Sequence, residues 1–224
     1  MHYELFNHKG IHTHNGPSVD AAKILERDTD PASFLASSFS VTERAKCFGG
    51  GVPKAVGFKV FPEHILRSQL SMDMFDQVLA DERVAKIMLK RENRVKTCAS
   101  VVRSSVTGRY NKENLDHVKV HILPHELQKF IDSYDGYYAY VKERLGRQSD
   151  RWLEISYEDF VENTPKEMKK ICDLLKVSRF CSEEGKVEKY IPKQTAKTLR
   201  ETFENYDELS GAFLGKERER DFEA

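Results

Sequence analysis

The sequence predicts an α/β fold: a parallel sheet covered on both faces by helices. Runs with strand character recur along the chain at Ala55–Phe61, Lys86–Lys90, Val118–Ile122 and Trp152–Ser156. Longer stretches with apolar residues at helical spacing separate them, among them Met72–Ala80, Asn93–Arg109 and Pro124–Leu145. Strands that alternate with helices imply crossover connections, and crossovers build parallel sheets buried on both sides. A length of 224 residues fits one core, so residues 1–224 read as a single domain.

Each element has a local reason. Ser18 is placed to cap a helix over Ser18–Asp28, and Asp30 precedes a second short helix, Pro31–Phe39. Met72–Ala80 carries helical periodicity and leads into the strand Lys86–Lys90. A polar loop, Asn111–Asp116, separates the Asn93–Arg109 helix from Val118–Ile122. Pro124 suits the first turn of a long helix to Leu145. After the strand Trp152–Ser156, helices are expected at Glu162–Leu175 and Gln194–Tyr206.

Composition narrows the function. Lys plus Arg and Asp plus Glu both number 36, so the formal charge is zero, without the basic excess of a general nucleic-acid binder. No apolar run approaches the roughly 20 residues of a membrane helix, and no signal-peptide pattern opens the chain. Cys47, Cys98, Cys172 and Cys181 form no C-x-x-C pair and no zinc spacing. Scattered thiols of this kind point to a reducing compartment, hence the cytoplasm.

The segment Lys86–Tyr110 is the most informative. It holds seven Lys/Arg and one acid, Glu92, in an otherwise balanced chain. A basic strand-to-helix junction favours anions, because free N–H groups and the helix dipole meet there. Arg91 and Ser100, nine positions apart, add a fork of donors and a hydroxyl, groups that suit a phosphate monoester. An exposed helix with merely solvated charges is the other reading of the same pattern.

The pattern Arg91-Glu92-Asn93…Ser100 after an apolar strand resembles the 3′-phosphate motif of sulfotransferases that use 3′-phosphoadenosine-5′-phosphosulfate (PAPS). The spacing is similar to that of the carbohydrate-type branch, which includes nodulation-factor and trehalose sulfotransferases. Four further stretches resemble that branch in the same order: Tyr3–Asn7, Gly57–Lys59, Ile155–Phe160 and Glu204–Leu209. The resemblance implies a nucleotide-kinase-like (P-loop NTPase-like) α/β fold. It implies PAPS as co-substrate without a metal, and a hydroxyl of a sugar or glycolipid as acceptor.

The resemblance also implies an opening strand, an R-S-G-S/T loop for the 5′-phosphosulfate and a helix. No such loop occurs in these residues. Gly49–Lys54 stands before a strand instead, and Pro53 removes a donor there. The chain therefore reads as truncated by its first βα unit. The expectation is a reading frame that continues upstream with a strand of about five residues, that loop and an amphipathic helix. The alternative is an inactive remnant or nucleotide-binding module that retains only the 3′-phosphate site.

Residue by residue, the resemblance implies Glu4 as the base for the acceptor hydroxyl and Lys59 as a point cation near the transferred sulfonate. Arg91 and Ser100 are the implied ligands of the 3′-phosphate. Tyr157 and Glu158 follow the strand Trp152–Ser156 on the side where open α/β sheets take ligands. Tyr157 is either a wall of the adenine pocket or a structural tyrosine. Lys193 and Gln194 resemble the segment that closes over the cofactor. The histidines His8, His12 and His14, and the series His117, His121, His125, invite a metal reading. Pro124 and the strand-like alternation of Val118–Ile122 argue against a helical register for the second group.

Overall fold

The computed structural model describes residues 25, 29–38, 55, 57, 59–62, 69–108, 115, 117–146, 148, 150–177 and 198–223. In chain order the elements are α1 (Pro31–Ser38), α2 (Gln69–Ala80), β1 (Lys86–Lys90), α3 (Arg94–Thr107), α4 (Pro124–Leu145) and β2 (Trp152–Ser156). They continue with α5 (Tyr157–Glu162), α6 (Thr164–Leu175), α7 (Leu199–Thr202), α8 (Tyr206–Phe213) and a 3-10 turn, Glu219–Phe222. Strands β1 and β2 pair as a small parallel sheet, so the architecture is α/β. Among the described residues no helix is long and apolar enough to cross a membrane.

The chain forms two compact units. The first comprises Met1–Ile87, Val141–Leu153 and Lys169–Arg179. Its buried residues include Phe34 of α1, Met74, Phe75, Val78 and Leu79 of α2, and Val141 and Leu145 at the end of α4. The turn into β1 is held by polar contacts. Lys86 Nζ donates to Asp81 O at 2.6 Å and to Gln148 Oε1 at 2.9 Å, and Gln148 Nε2 donates to Leu79 O at 2.7 Å. Burial lowers the pKa of Lys86, while the charge of Asp81 acts to raise it. The carboxyl of Asp81 is itself lowered to about 2 by its hydrogen bond with Arg83.

The second unit comprises Met88–Tyr140, Glu154–Met168 and Phe180–Ala224. Its core gathers Val95, Cys98 and Ala99 of α3, Leu127 and Ile131 of α4, and Leu199, Phe203, Leu209, Phe213 and Phe222 of the C-terminal segments. Helix α3 starts where Asn93 accepts a hydrogen bond from Lys96 N at 2.8 Å, and it stops at Gly108, whose φ of 65° lies in the left-handed region. The helix expected over Asn93–Arg109 is thereby trimmed to the residues between its cap and its glycine. Burial pushes the Cys98 thiol up to about 12, so it is an apolar core residue and not a nucleophile.

Several expectations need correction. The strand expected at Val118–Ile122 is one parallel bridge, Val120 to Phe203. The same bridge divides the helix expected over Gln194–Tyr206. Phe203 is extended (φ −93°, ψ 132°), Val120 N donates to Thr202 O at 3.0 Å, and Glu204 N donates to Val120 O at 2.9 Å. Burial of Phe203 in the core outweighs the helical pattern around it. The expected helix Glu162–Leu175 begins later, at Thr164, because Ser156 caps a separate short helix after β2. The described residues of Ala55–Phe61 are not in a strand. There the Lys59 ammonium lies 5.8 Å from the Phe61 ring centroid and Phe61 is 46% exposed, unlike the interior of a parallel sheet. Of the helix expected over Ser18–Asp28, only Leu25 lies among the described residues, and it is helical.

The core of the second unit gives a direct stability test. Leu127 has no exposed surface, and Leu127→Ala should cost about 2–5 kcal/mol through lost burial and the cavity left behind. The expected reading is a lower urea midpoint with an unchanged slope.

Candidate functional site: the β1–α3 junction

Strand β1 ends in Lys90, and three residues, Arg91–Asn93, join it to α3. Two successive peptide groups of this turn are clamped by their carbonyls. Arg91 O accepts from Arg94 Nη1, and Glu92 O accepts from Arg218 Nη1 at 3.4 Å. Both arginines are held by one carboxylate, since Asp135 Oδ1 accepts from Arg94 Nε at 2.7 Å and Asp135 Oδ2 accepts from Arg218 Nη2. A trans peptide is planar, with its C=O and N–H on opposite sides. Clamping the two carbonyls therefore aims the N–H groups of Glu92 and Asn93 away from Asp135, toward the other side of the turn.

A carboxylate receives them there. Glu92 N donates to Glu158 Oε2 at 3.0 Å, and Asn93 N donates to Glu158 Oε1 at 3.5 Å. The Arg91 guanidinium is packed against the same group. Its central carbon lies 5.0 Å from the Tyr157 ring centroid, and its Nε stands 4.0 Å from Glu158 Oε1. That Nε is buried and has no hydrogen-bond partner. Burial lowers the pKa of Arg91, and the charges of Tyr157 and Glu158 oppose the shift. The next N–H, that of Arg94, is taken by Asp221 Oδ2 at 2.8 Å, while Asn93 Nδ2 donates to Asp221 O at 2.8 Å. Lys90 Nζ pairs with Glu92 Oε2 at 3.3 Å.

Two backbone N–H groups thus meet one carboxylate, with the Arg91 guanidinium beside it, a grouping of donors of the kind that suits an anion. Among the sequence-expected residues, Arg91 and Tyr157 are in contact. Ser100 is exposed on α3, six residues and roughly 9 Å of helical rise beyond Arg94, and no hydrogen bond joins it to Arg91. Lys59 is exposed and belongs to the first unit. Glu4, Lys193 and Gln194 lie outside the described residues. Among the described residues no group of three or more His, Cys, Asp or Glu side chains is placed to hold a metal. A cleft of about 500 Å³, lined by residues that include His125, Lys129, Asp132, Phe213 and Lys216, contains none of the junction residues.

No family model, no curated protein and no solved structure matches the chain. Sequence reasoning missed Asp135, Arg218 and Asp221, the groups that shape the turn. They lie 41 to 128 residues from their partners at the junction, and nothing local distinguishes them from other charged residues. Asn93 is different: an Asn just before a helical pattern is a readable cap signal.

Asp135 supplies a prediction. Burial alone raises its pKa, but hydrogen bonds and charge from Arg94 and Arg218 outweigh burial, and the net shift is downward. A carboxyl with a depressed folded pKa contributes stability above its unfolded value of about 3.9, lost as pH falls through the folded value. Asp135→Asn should lower stability near neutrality by about 1.5–3 kcal/mol, the scale of hydrogen bonds to charged groups. Below about pH 4 the difference between variant and wild type should shrink. Urea titrations at two pH values read both effects.

Proposed function

We propose that the chain is a sulfotransferase-type domain of nucleotide-kinase-like fold. It binds the 3′-phosphate of PAPS at the β1–α3 junction and moves a sulfonate to a hydroxyl of a carbohydrate or glycolipid acceptor. The observation that carries this reading is the convergence of the Glu92 and Asn93 N–H groups with Arg91 on a single anion, directly after a strand. A phosphate monoester presents several oxygens to such a set, and Arg offers it fixed donors.

The reaction asks for three things. The acceptor oxygen attacks sulfur, the bond from sulfur to the bridging phosphate oxygen breaks, and the acceptor proton must leave. For proton removal and for charge on the sulfonate the resemblance alone implies Glu4 and Lys59. Arg91 holds the 3′-phosphate and Tyr157 flanks the nucleotide; the resemblance alone implies Ser100 as a further phosphate ligand and Lys193 and Gln194 as the segment over the cofactor. The enzyme uses no metal and works in the cytoplasm.

A second reading keeps the nucleotide and drops the transfer: a binding module with the 3′-phosphate site alone. It is favoured by the sequence itself, in which no R-S-G-S/T loop for the 5′-phosphosulfate occurs. Calorimetry with 3′,5′-adenosine bisphosphate, followed by transfer of labelled sulfonate from PAPS, separates the two. Arg91→Ala should weaken binding roughly 10- to 100-fold, the equivalent of about one charge-assisted hydrogen bond. Binding without transfer across a broad acceptor panel would leave only the module. A folded protein that ignores the bisphosphate would remove both.

A further inference from the structure

Within the second unit, the residues Lys216–Glu223 reach back to the start of α3. Asp221 Oδ2 accepts from Arg94 N at 2.8 Å, and Asp221 O accepts from Asn93 Nδ2 at 2.8 Å. Arg218 donates to Asp135 and, at 3.4 Å, to Glu92 O. These contacts fasten the turn, yet little fastens the segment itself. Phe222 is its one buried residue, packed against Phe213 and Tyr206, and Tyr206 Oη donates to Phe222 O at 2.9 Å. Lys216, Glu217, Arg220 and Glu223 are exposed. The segment leaves α8 through Leu214, which is exposed, and Gly215, whose φ of 71° lies in the left-handed region. Gly215 N donates to Glu219 Oε2 at 3.0 Å, a contact within the segment and its hinge.

We infer that Lys216–Glu223 is a strap that opens about Gly215 as one unit, and that its opening unfastens the β1–α3 turn. A segment held by one buried side chain and a few polar contacts opens at a lower free energy than a core does. Helix α3 is anchored separately, by Val95, Cys98 and Ala99, and stays folded when the strap leaves. What the turn loses is specific. The Arg94 N–H loses its carboxylate, the Asn93 amide loses its acceptor, and Glu92 O loses its guanidinium. Asn93, which caps Lys96 N, is then no longer anchored from outside the helix. Arg94 and Asp135 keep each other, so the Arg91 carbonyl remains held. The turn is thus a two-state element set by a segment whose Asp221 lies 127 residues from Arg94. The device needs no ligand at the junction and is independent of the proposed activity.

Hydrogen exchange of the full chain in increasing, sub-denaturing urea reads the opening directly. Three sets of amides are compared: Glu219, Asp221 and Glu223 in the strap, Arg94 and Lys96 at the junction, and Cys98–Val102 in the middle of α3. Strap and junction amides should share one opening free energy and one urea dependence, both smaller than those of the α3 set. Two variants alter the strap without touching the junction. Tyr206→Phe deletes the hydrogen bond to Phe222 O and keeps the ring. It should speed exchange in the strap and junction sets alike, about fivefold. Gly215→Ala puts a side chain on the left-handed hinge, where no atom lies within 4 Å of the added carbon, so backbone strain alone acts. It should speed both sets roughly five- to thirtyfold. Junction amides that keep the wild-type rate while the strap amides quicken would overturn the inference, as would junction amides that exchange only together with the α3 set. Strap amides that neither variant quickens would overturn it too.

Discussion

A guanidinium with no exposed surface, that of Arg94, constrains everything around the junction. A buried charge is tolerated only when opposite charge and acceptors surround it. Arg94 finds them in three directions: Asp135 on helix α4, the carbonyl of Arg91 in the turn, and the face of Tyr138, 4.8 Å from its central carbon. Its backbone N–H adds Asp221 from the C-terminal 3-10 turn. One residue thus ties the turn to a helix and to the end of the chain. Replacing the whole cluster with apolar side chains would not reproduce this, because the clamped carbonyl is what directs the Glu92 N–H outward.

The parts of the fold that rest on local signals were readable. β1, β2 and α4 occupy the residues their patterns predict, since alternation, an apolar run and a proline at the first turn act within a few positions. What failed depended on distant partners. Phe203 has helical neighbours on both sides, yet its packing and its bridge with Val120 hold it extended. No window of sequence contains Val120 and Phe203 together.

The site divides in the same way. The position of Arg91 between a strand and a capped helix was readable. That Tyr157 and Glu158 stand at the end of β2, beside the end of β1, follows from the parallel pairing of the two strands. That Glu158 caps the two N–H groups of the turn was not legible, because a glutamate after a strand has the same sequence whether it faces solvent or a pair of N–H groups. Asp135, within a helix rich in charges, and Arg218, within the run Lys216–Arg220, carry no pattern of their own. Their roles exist only once the chain has folded.

Local charge explains why a carboxylate is there at all. Around the turn, Lys90, Arg91, Arg94 and Arg218 face Glu92, Asp135, Glu158 and Asp221. The four cations, gathered at the positive end of a helix, would repel one another in a partly buried setting. The four anions neutralise them, so the turn keeps its shape without a ligand. Among these anions Glu158 differs. Asp135 joins two arginines and Asp221 joins α3 to the 3-10 turn, so displacing either loosens structure elsewhere. Glu158 makes its contacts with two N–H groups and the flank of one arginine, all at the turn itself. Of the four, Glu158 is the one whose loss would disturb the fewest contacts between elements.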